Sequence, residues 1–221
     1  MVTWVLMACG PSSEEESTRN LETGVVKVSI GGHHFDVPLR YLYSQAMEKH
    51  QHWPVPSPDR VQVDGLVLSV LMPDFRPYYK ADDARWNVLG HGERIQLSLS
   101  QGRHDWYAFL LKTTQDPKLS GRFYQKGTDH YQLVHYAGGA LGDLYFARDG
   151  RSLYLSCLLE TPPPNWKGGY SPSCSVKSNY KSGLVLEYYY SRSYLPQWSE
   201  IDNGLKNMLD GFYRSTEKPR R

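Results

Sequence analysis

The chain has 221 residues, with 25 Lys and Arg against 23 Asp and Glu, a formal charge of +2, 40% hydrophobic residues and 17 tyrosines. So even a balance, with no basic arm or stacking motif, excludes the strongly positive surface that nucleic-acid binding needs. The charged ends cancel, Glu14, Glu15, Glu16 and Glu22 with Arg19 at one and Arg214, Glu217, Lys218, Arg220 and Arg221 at the other, so the body itself stays close to neutral.

The first stretch, "TWVLMACGPSSEEES", is a short apolar run that reaches Cys9 and then turns polar. A membrane span needs roughly 20 apolar helical residues, so this is not a transmembrane anchor. A signal peptide would show a basic region, a short apolar region and a small residue before the cleavage site; the last two are present, with Ala8 before Cys9. "LMAC" resembles the lipobox of bacterial lipoproteins, which implies that Cys9 carries lipid. No Lys or Arg precedes the run, a departure that points to a start upstream of the recorded one. Gly10, in place of Asp, fits sorting to the outer membrane in that group. The competing reading is a cytosolic N-terminus with a chance cysteine. "GPSSEEESTRNLETG" has the composition of a flexible tether, so residues 1–23 are expected to be signal remnant and tether, and 24–221 a globular binding domain of one unit or two packed subdomains, about 24–115 and 116–215.

"GVVKVSIGGHHFDVPLRYL" alternates and turns at Gly31-Gly32, the signature of a β-hairpin whose turn needs positive φ. Pro38 ends its second strand, "LRYLYSQAMEK" predicts a short helix, and "HWPVPSPD" a proline-rich loop. "VQVDGLVLSVLMPDF" predicts a buried strand, "RIQLSLSQG" an alternating one, and "WYAFLLKT" a third. "HYQLVHYAGG", "LGDLYFARDGRSLYLSCLLE" and "SGLVLEYYYS" read as strands, with Asp149-Gly150 as a hairpin turn. In "LPQWSEIDNGLKNMLDGFY", Trp198, Ile201, Leu205, Met208, Leu209 and Phe212 recur at helical spacing, Pro196 suits the first turn and Gly211 the stop. The expectation is an α+β fold: antiparallel β-sheets in two loosely similar halves, short helices and an amphipathic C-terminal helix.

If Cys9 is lipidated, Cys157 and Cys174 are left to pair across "TPPPNWKGGYSPS", which an oxidising periplasm permits; two buried free thiols are the alternative. No CxxC or His-x-x-x-His spacing suggests a metal. Adjacent His33 and His34 point to opposite faces of a strand, and His50 and His52 lack a third ligand. No G-x-S-x-G elbow is present, and "GGALG" lacks the Lys of a phosphate loop. Asp82-Asp83 reads as solvated charge in a polar loop. Nothing here announces catalysis, a cofactor or a metal, so the expectation is a non-enzyme.

The aromatic residues carry more information. Trp53, Phe75, Tyr78, Tyr79, Trp86, Trp166 and Tyr170 fall in loops beside charged residues such as Arg76, and Tyr, Trp and Arg dominate binding hot spots. "FRPYYKADDARW" and "NWKGGYSP" are therefore expected to form a surface for a protein partner.

"VSIGGHHFDVPLRYL", "MPDFRPY" and "CSVKSNYKSGLVLEYYYSRSYLPQWSEIDNGLKNMLDGF" resemble the periplasmic immunity proteins kept beside type VI secretion effectors. With the lipobox-like head, the chain is similar to those members that guard against phospholipase effectors. The resemblance implies a protein that binds a cognate secreted toxin in the periplasm and blocks it, anchored to the outer membrane by its lipid, with no catalytic residues and no nucleic-acid partner. An envelope lipoprotein that holds a glycan or lipid, or scaffolds a complex, is the other class the sequence allows.

Overall fold

A computed structural model describes residues 21–43, 56, 58–88, 90–103, 105–120, 124–138, 142–148 and 152–215. Cys9, the tether up to residue 20, His50, His52, Trp53, the Asp149-Gly150 turn and the tail beyond 215 lie outside them; residues 21–23, expected as tether, belong to the domain, with Leu21 packed against its core.

β1 (Val25–Ile30) and β2 (His33–Pro38) form the expected hairpin, with Ile30 opposite His33 and φ of 56° and 82° at Gly31 and Gly32. A 3-10 turn, Leu39–Leu42, follows Pro38, the described part of the predicted helix. The strand expected over 61–75 is divided. β3 (Val61–Gln62) pairs parallel with β1, and β4 (Gly65–Leu71) lies in a different sheet, so the chain changes layers at Asp64. The smaller sheet is therefore mixed rather than purely antiparallel.

A loop containing the 3-10 turn Lys80–Asp82 and the single-turn α1 (Asp83–Trp86) leads to β5 (Arg94–Gln101). The run "WYAFLLKT", predicted as a strand, is instead in helix α2 (Trp106–Gln115), with α3 (Pro117–Ser120) after it. Tyr107, Leu110 and Leu111 meet the back of the sheet at i, i+3, i+4 spacing, a pattern that an eight-residue apolar run does not distinguish from a strand. β6 (Gln125–Lys126), β7 (Leu133–Ala137), β8 (Gly142–Ala147), β9 (Leu153–Leu158), β10 (Ser173–Asn179) and β11 (Leu184–Ser191) complete the strands of the large sheet. After the 3-10 turn Arg192–Gln197, helix α4 (Trp198–Phe212) and the short β12 (Tyr213–Arg214) end the described chain. Pro196 lies in the 3-10 turn, and Gly211 inside α4, one residue before its end.

The large sheet runs β4-β5-β11-β10-β9-β8-β7-β6 and the small one β12-β2-β1-β3. Strands from both parts of the chain share the large sheet, because β5 pairs with β11. One cross-strand row, Leu68, Leu97, Tyr188, Val176, Leu155 and Tyr145, is wholly buried on its front face. That face packs against α4 and the small sheet, where Phe35, Ile201, Leu205 and Leu209 are sealed from solvent. Each such side chain contributes about 1.5–3 kcal/mol by leaving water. On the back, α2 packs over Tyr136, Leu144 and Phe146, and β5 presents Gln96, Ser98 and Ser100.

The core also holds a charge. Asp202 on α4 is fully buried, accepts hydrogen bonds from Tyr188 Oη at 3.2 Å and Lys206 Nζ at 2.8 Å, and so has partners in place of water. Burial, with the Asp202 charge adding to it, pushes the neighbouring Tyr190 hydroxyl well above its ordinary pKa.

Candidate functional site: the aromatic end of the large sheet

Antiparallel pairing fixes which loops share an end. Leu71 lies opposite Arg94, Gln96 opposite Tyr189, Ser191 opposite Ser173, and Cys174 opposite Cys157. The loop 72–93 and the loop 159–172 therefore leave the same end of the sheet. They also touch: a Cβ on Gly90 would stand 2.0 Å from Ser171 Oγ, a closeness that only glycine allows.

The first loop is held by charge. Asp82 is only 7% exposed and receives both terminal nitrogens of Arg76, at 2.5 and 2.7 Å. The solvated acidic pair expected at 82 and 83 is therefore half wrong: Asp82 is the buried anchor of the loop, and Asp83 the more exposed partner of Lys80 and Tyr78. Hydrogen bonds from Lys80 and Tyr78 hold the Asp83 carboxyl below its ordinary value. Arg85 adds Glu93 at 2.5 Å and the Met72 carbonyl at 3.0 Å, tying the two ends of the loop together.

Two of the aromatics predicted for the surface are inside. Tyr78 stacks on Tyr43 with centroids 3.5 Å apart, and the edges of both meet Trp86, which is 1% exposed. With Leu71 these rings make a small separate core that supports the loop, so Tyr78 and Trp86 are not available to a partner. Phe75, at φ 53°, is half-buried with its ring on Gly204 of α4. Arg76 is committed to Asp82. Tyr79 is exposed, and the Arg40 guanidinium lies 4.4 Å over its ring.

The second loop closes on itself. Cys157 and Cys174, a directly paired cross-strand couple, are joined in a buried disulfide at its base. Arg192 binds the Leu158 carbonyl and the Asp143 carboxylate, the latter at 3.0 Å, and its own N–H donates to the Pro172 carbonyl at 2.9 Å. Tyr170 is half-buried and its hydroxyl donates to the Leu159 carbonyl at 2.6 Å. Trp166 stays 54% exposed, its ring edge-on to Tyr170 at 5.6 Å.

Val88 and Tyr189 extend this exposed apolar surface, and His91 stacks on Tyr189 at 6.3 Å. Burial, with the nearby Arg94 charge, holds His91 below 6.5, so it is neutral at neutral pH. Between the 72–93 loop and the 3-10 turn after β11 is an open groove of about 480 Å³, edged by Val88 and Tyr194 over the Arg85 and Glu93 pair. The N-terminal segment enters here too: Glu22 binds Arg40 at 3.2 Å, and Arg40 donates to the Tyr78 carbonyl at 3.0 Å.

Sequence reading missed the group around Arg192. His135 Nε2 is 3.4 Å from Asp143 Oδ1, its ring stacks on Tyr145, and Tyr145 lies 3.3 Å from Arg192. These residues come from β7, β8 and the turn after β11, and no local pattern links them. Among the described residues no three metal-ligating side chains converge, and no helix is long and apolar enough to cross a membrane.

No protein-family model matches the chain, and no curated protein matches it in sequence. Two solved structures share its fold. Smlt3025, an immunity protein of the Stenotrophomonas maltophilia type IV secretion system, aligns with TM-score 0.58 at 16% identity, over 87% of this chain and 94% of its own. The Neisseria meningitidis iron-regulated outer membrane lipoprotein FrpD aligns with TM-score 0.56 at 13% identity, over 86% of this chain and 92% of its own. At these identities the likeness is one of fold.

Proposed function

We propose that the protein is an immunity protein, which binds a cognate secreted toxin in the periplasm and neutralises it. The observation that carries this reading is the joined pair of loops at one end of the sheet, rigid at their bases and aromatic at their tips, where Tyr79, Val88 and Trp166 stand exposed. Rigid aromatic anchors lose little entropy on binding, which favours tight association with another protein. The fold shared with Smlt3025 supports the same reading. The finer assignment, to a type VI effector of the phospholipase group, rests on the sequence resemblance.

Lipid on Cys9 would anchor the domain to the outer membrane. A flexible tether of about 14 residues spans roughly 20 Å. Because the chain enters the domain beside Tyr79, such a tether would hold the binding end near the membrane that a lipase attacks, raising the local concentration of inhibitor there. The test is protection of cells that receive the neighbouring effector in their periplasm. Wild-type protein is expected to protect and Cys9→Ser to protect less; no protection by either form would reject the reading.

A second reading is an envelope lipoprotein that holds a glycan or lipid in the groove beside Tyr194, favoured by that groove and by the fold shared with FrpD. Such a protein would be needed in cells that lack the effector.

A further inference from the structure

The loop between Cys157 and Cys174 differs from an ordinary surface connection in how completely it is fixed before any partner arrives. Its two ends are covalently joined at adjacent, buried positions of β9 and β10. Pro162, Pro163 and Pro164 restrict its rising arm. The Trp166 N–H donates to the Pro163 carbonyl at 3.1 Å and the indole Nε1 to the Gly169 carbonyl at 3.2 Å, so the indole is bonded within its own loop. Tyr170 braces the ring from the side and is itself bonded to Leu159. Ser171 rests against Gly90, which supports the returning arm. Residues 164–169 are all exposed, and a Cβ on Gly168 would meet nothing within 4 Å, so the tip projects.

An exposed indole on a flexible loop would fold back or lose much of its binding energy to ordering; here that ordering has already been done by the fold. A narrow, convex and rigid tip with one large ring fits a concave site rather than a flat one, since it buries its full area only when walls close around it. We infer that the 159–172 loop is a preformed wedge that enters the substrate cleft of an enzyme partner, with the Trp166 indole at its leading edge. This rests on the toxin-binding reading above and adds its mode: exclusion of substrate by occupancy of the cleft.

The experiment uses the full chain and the candidate toxin, sought among the products of the adjacent genes, measuring both affinity and the toxin's hydrolysis of its substrate. Wild-type protein should bind and raise the apparent KM without changing kcat. Trp166→Ala should bind at least about 30-fold more weakly, the change equivalent to a hot spot of 2 kcal/mol, and Trp166→Phe should recover most of that loss. Because Trp166 is more than half exposed, the thermal midpoint of both variants should match the wild type. Tight wild-type binding with Trp166→Ala unaffected, or with inhibition that substrate does not compete against, would overturn the wedge and leave the toxin-binding reading standing. No wild-type binding at all would overturn both.

Discussion

The ring of Phe75 rests on Gly204 so closely that a Cβ at position 204 would lie 2.0 Å from its Cε2. This contact pins the start of the 72–93 loop to α4, the helix that fills the core. In an open helix, Gly→Ala stabilises by about 1 kcal/mol. Here Gly204→Ala should instead lower stability by about 1–3 kcal/mol, the usual cost of overpacking. In the Phe75→Ala background the same change should become neutral or favourable, so that urea midpoints of the four proteins show coupling between the sites.

Asp82 holds Arg76 by both terminal nitrogens and also lies 3.5 Å from Arg85. Replacing it by Ala removes the carboxylate that Arg76 grips with both terminal nitrogens, while Arg85 keeps Glu93 and the Met72 carbonyl, so the urea midpoint should fall. The loop should loosen as well. Hydrogen exchange at residues 76–88 is expected to quicken in Asp82→Ala while the β9 and β10 amides remain slow.

The small sheet has a carboxylate whose charge matters to stability. Burial opposes ionisation of Asp36, but hydrogen bonds and charge from Arg60 and Arg214 outweigh it and hold the carboxyl below 3.8. A depressed folded pKa contributes stability that is fully present above the unfolded value and lost as pH falls through the folded one. Wild type should therefore exceed Asp36→Asn in urea midpoint at neutral pH, and the gap should close below about pH 4 as the unfolded and then the folded carboxyl protonate.

The disulfide closes the second loop over a sequence separation of 17 residues. Both cysteines are fully buried, so dithiothreitol should reduce the bond in urea long before it does so in buffer. The Cys157→Ser, Cys174→Ser double variant should lose about 3 kcal/mol of stability by the chain-entropy account. The loop should then loosen, and the fluorescence of Trp166, whose ring lies edge-on to Tyr170, should change.

The sequence made the local features legible and left the long-range ones hidden. Gly31-Gly32 announced a two-residue hairpin, and the spacing from Trp198 to Phe212 announced α4, because each is decided by residues close in the chain. The run from Trp106 was misread, since which face of it is buried depends on β7 and β8, which come later. The strand over 61–75 is broken by a change of sheet at Asp64-Gly65, a turn-forming pair inside an otherwise apolar run. Within the candidate site, the aromatic loops were found but their insides and outsides were not. Tyr78 and Trp86 are buried by Tyr43, 35 and 43 residues earlier, whereas Tyr79 and Trp166, of the same residue types, remain outside. Arg192 joins Asp143, Tyr145 and the end of β9, and was invisible until strand pairing brought them together.

The most direct test of the central claim is a titration of the candidate toxin, sought among the products of the adjacent genes, with the full chain, followed by calorimetry and by that toxin's own activity in the same samples. The account predicts saturable binding with Kd at or below about 10 nM and activity that falls in step with occupancy. A toxin that stays fully active and unbound at micromolar concentrations of the protein would contradict it.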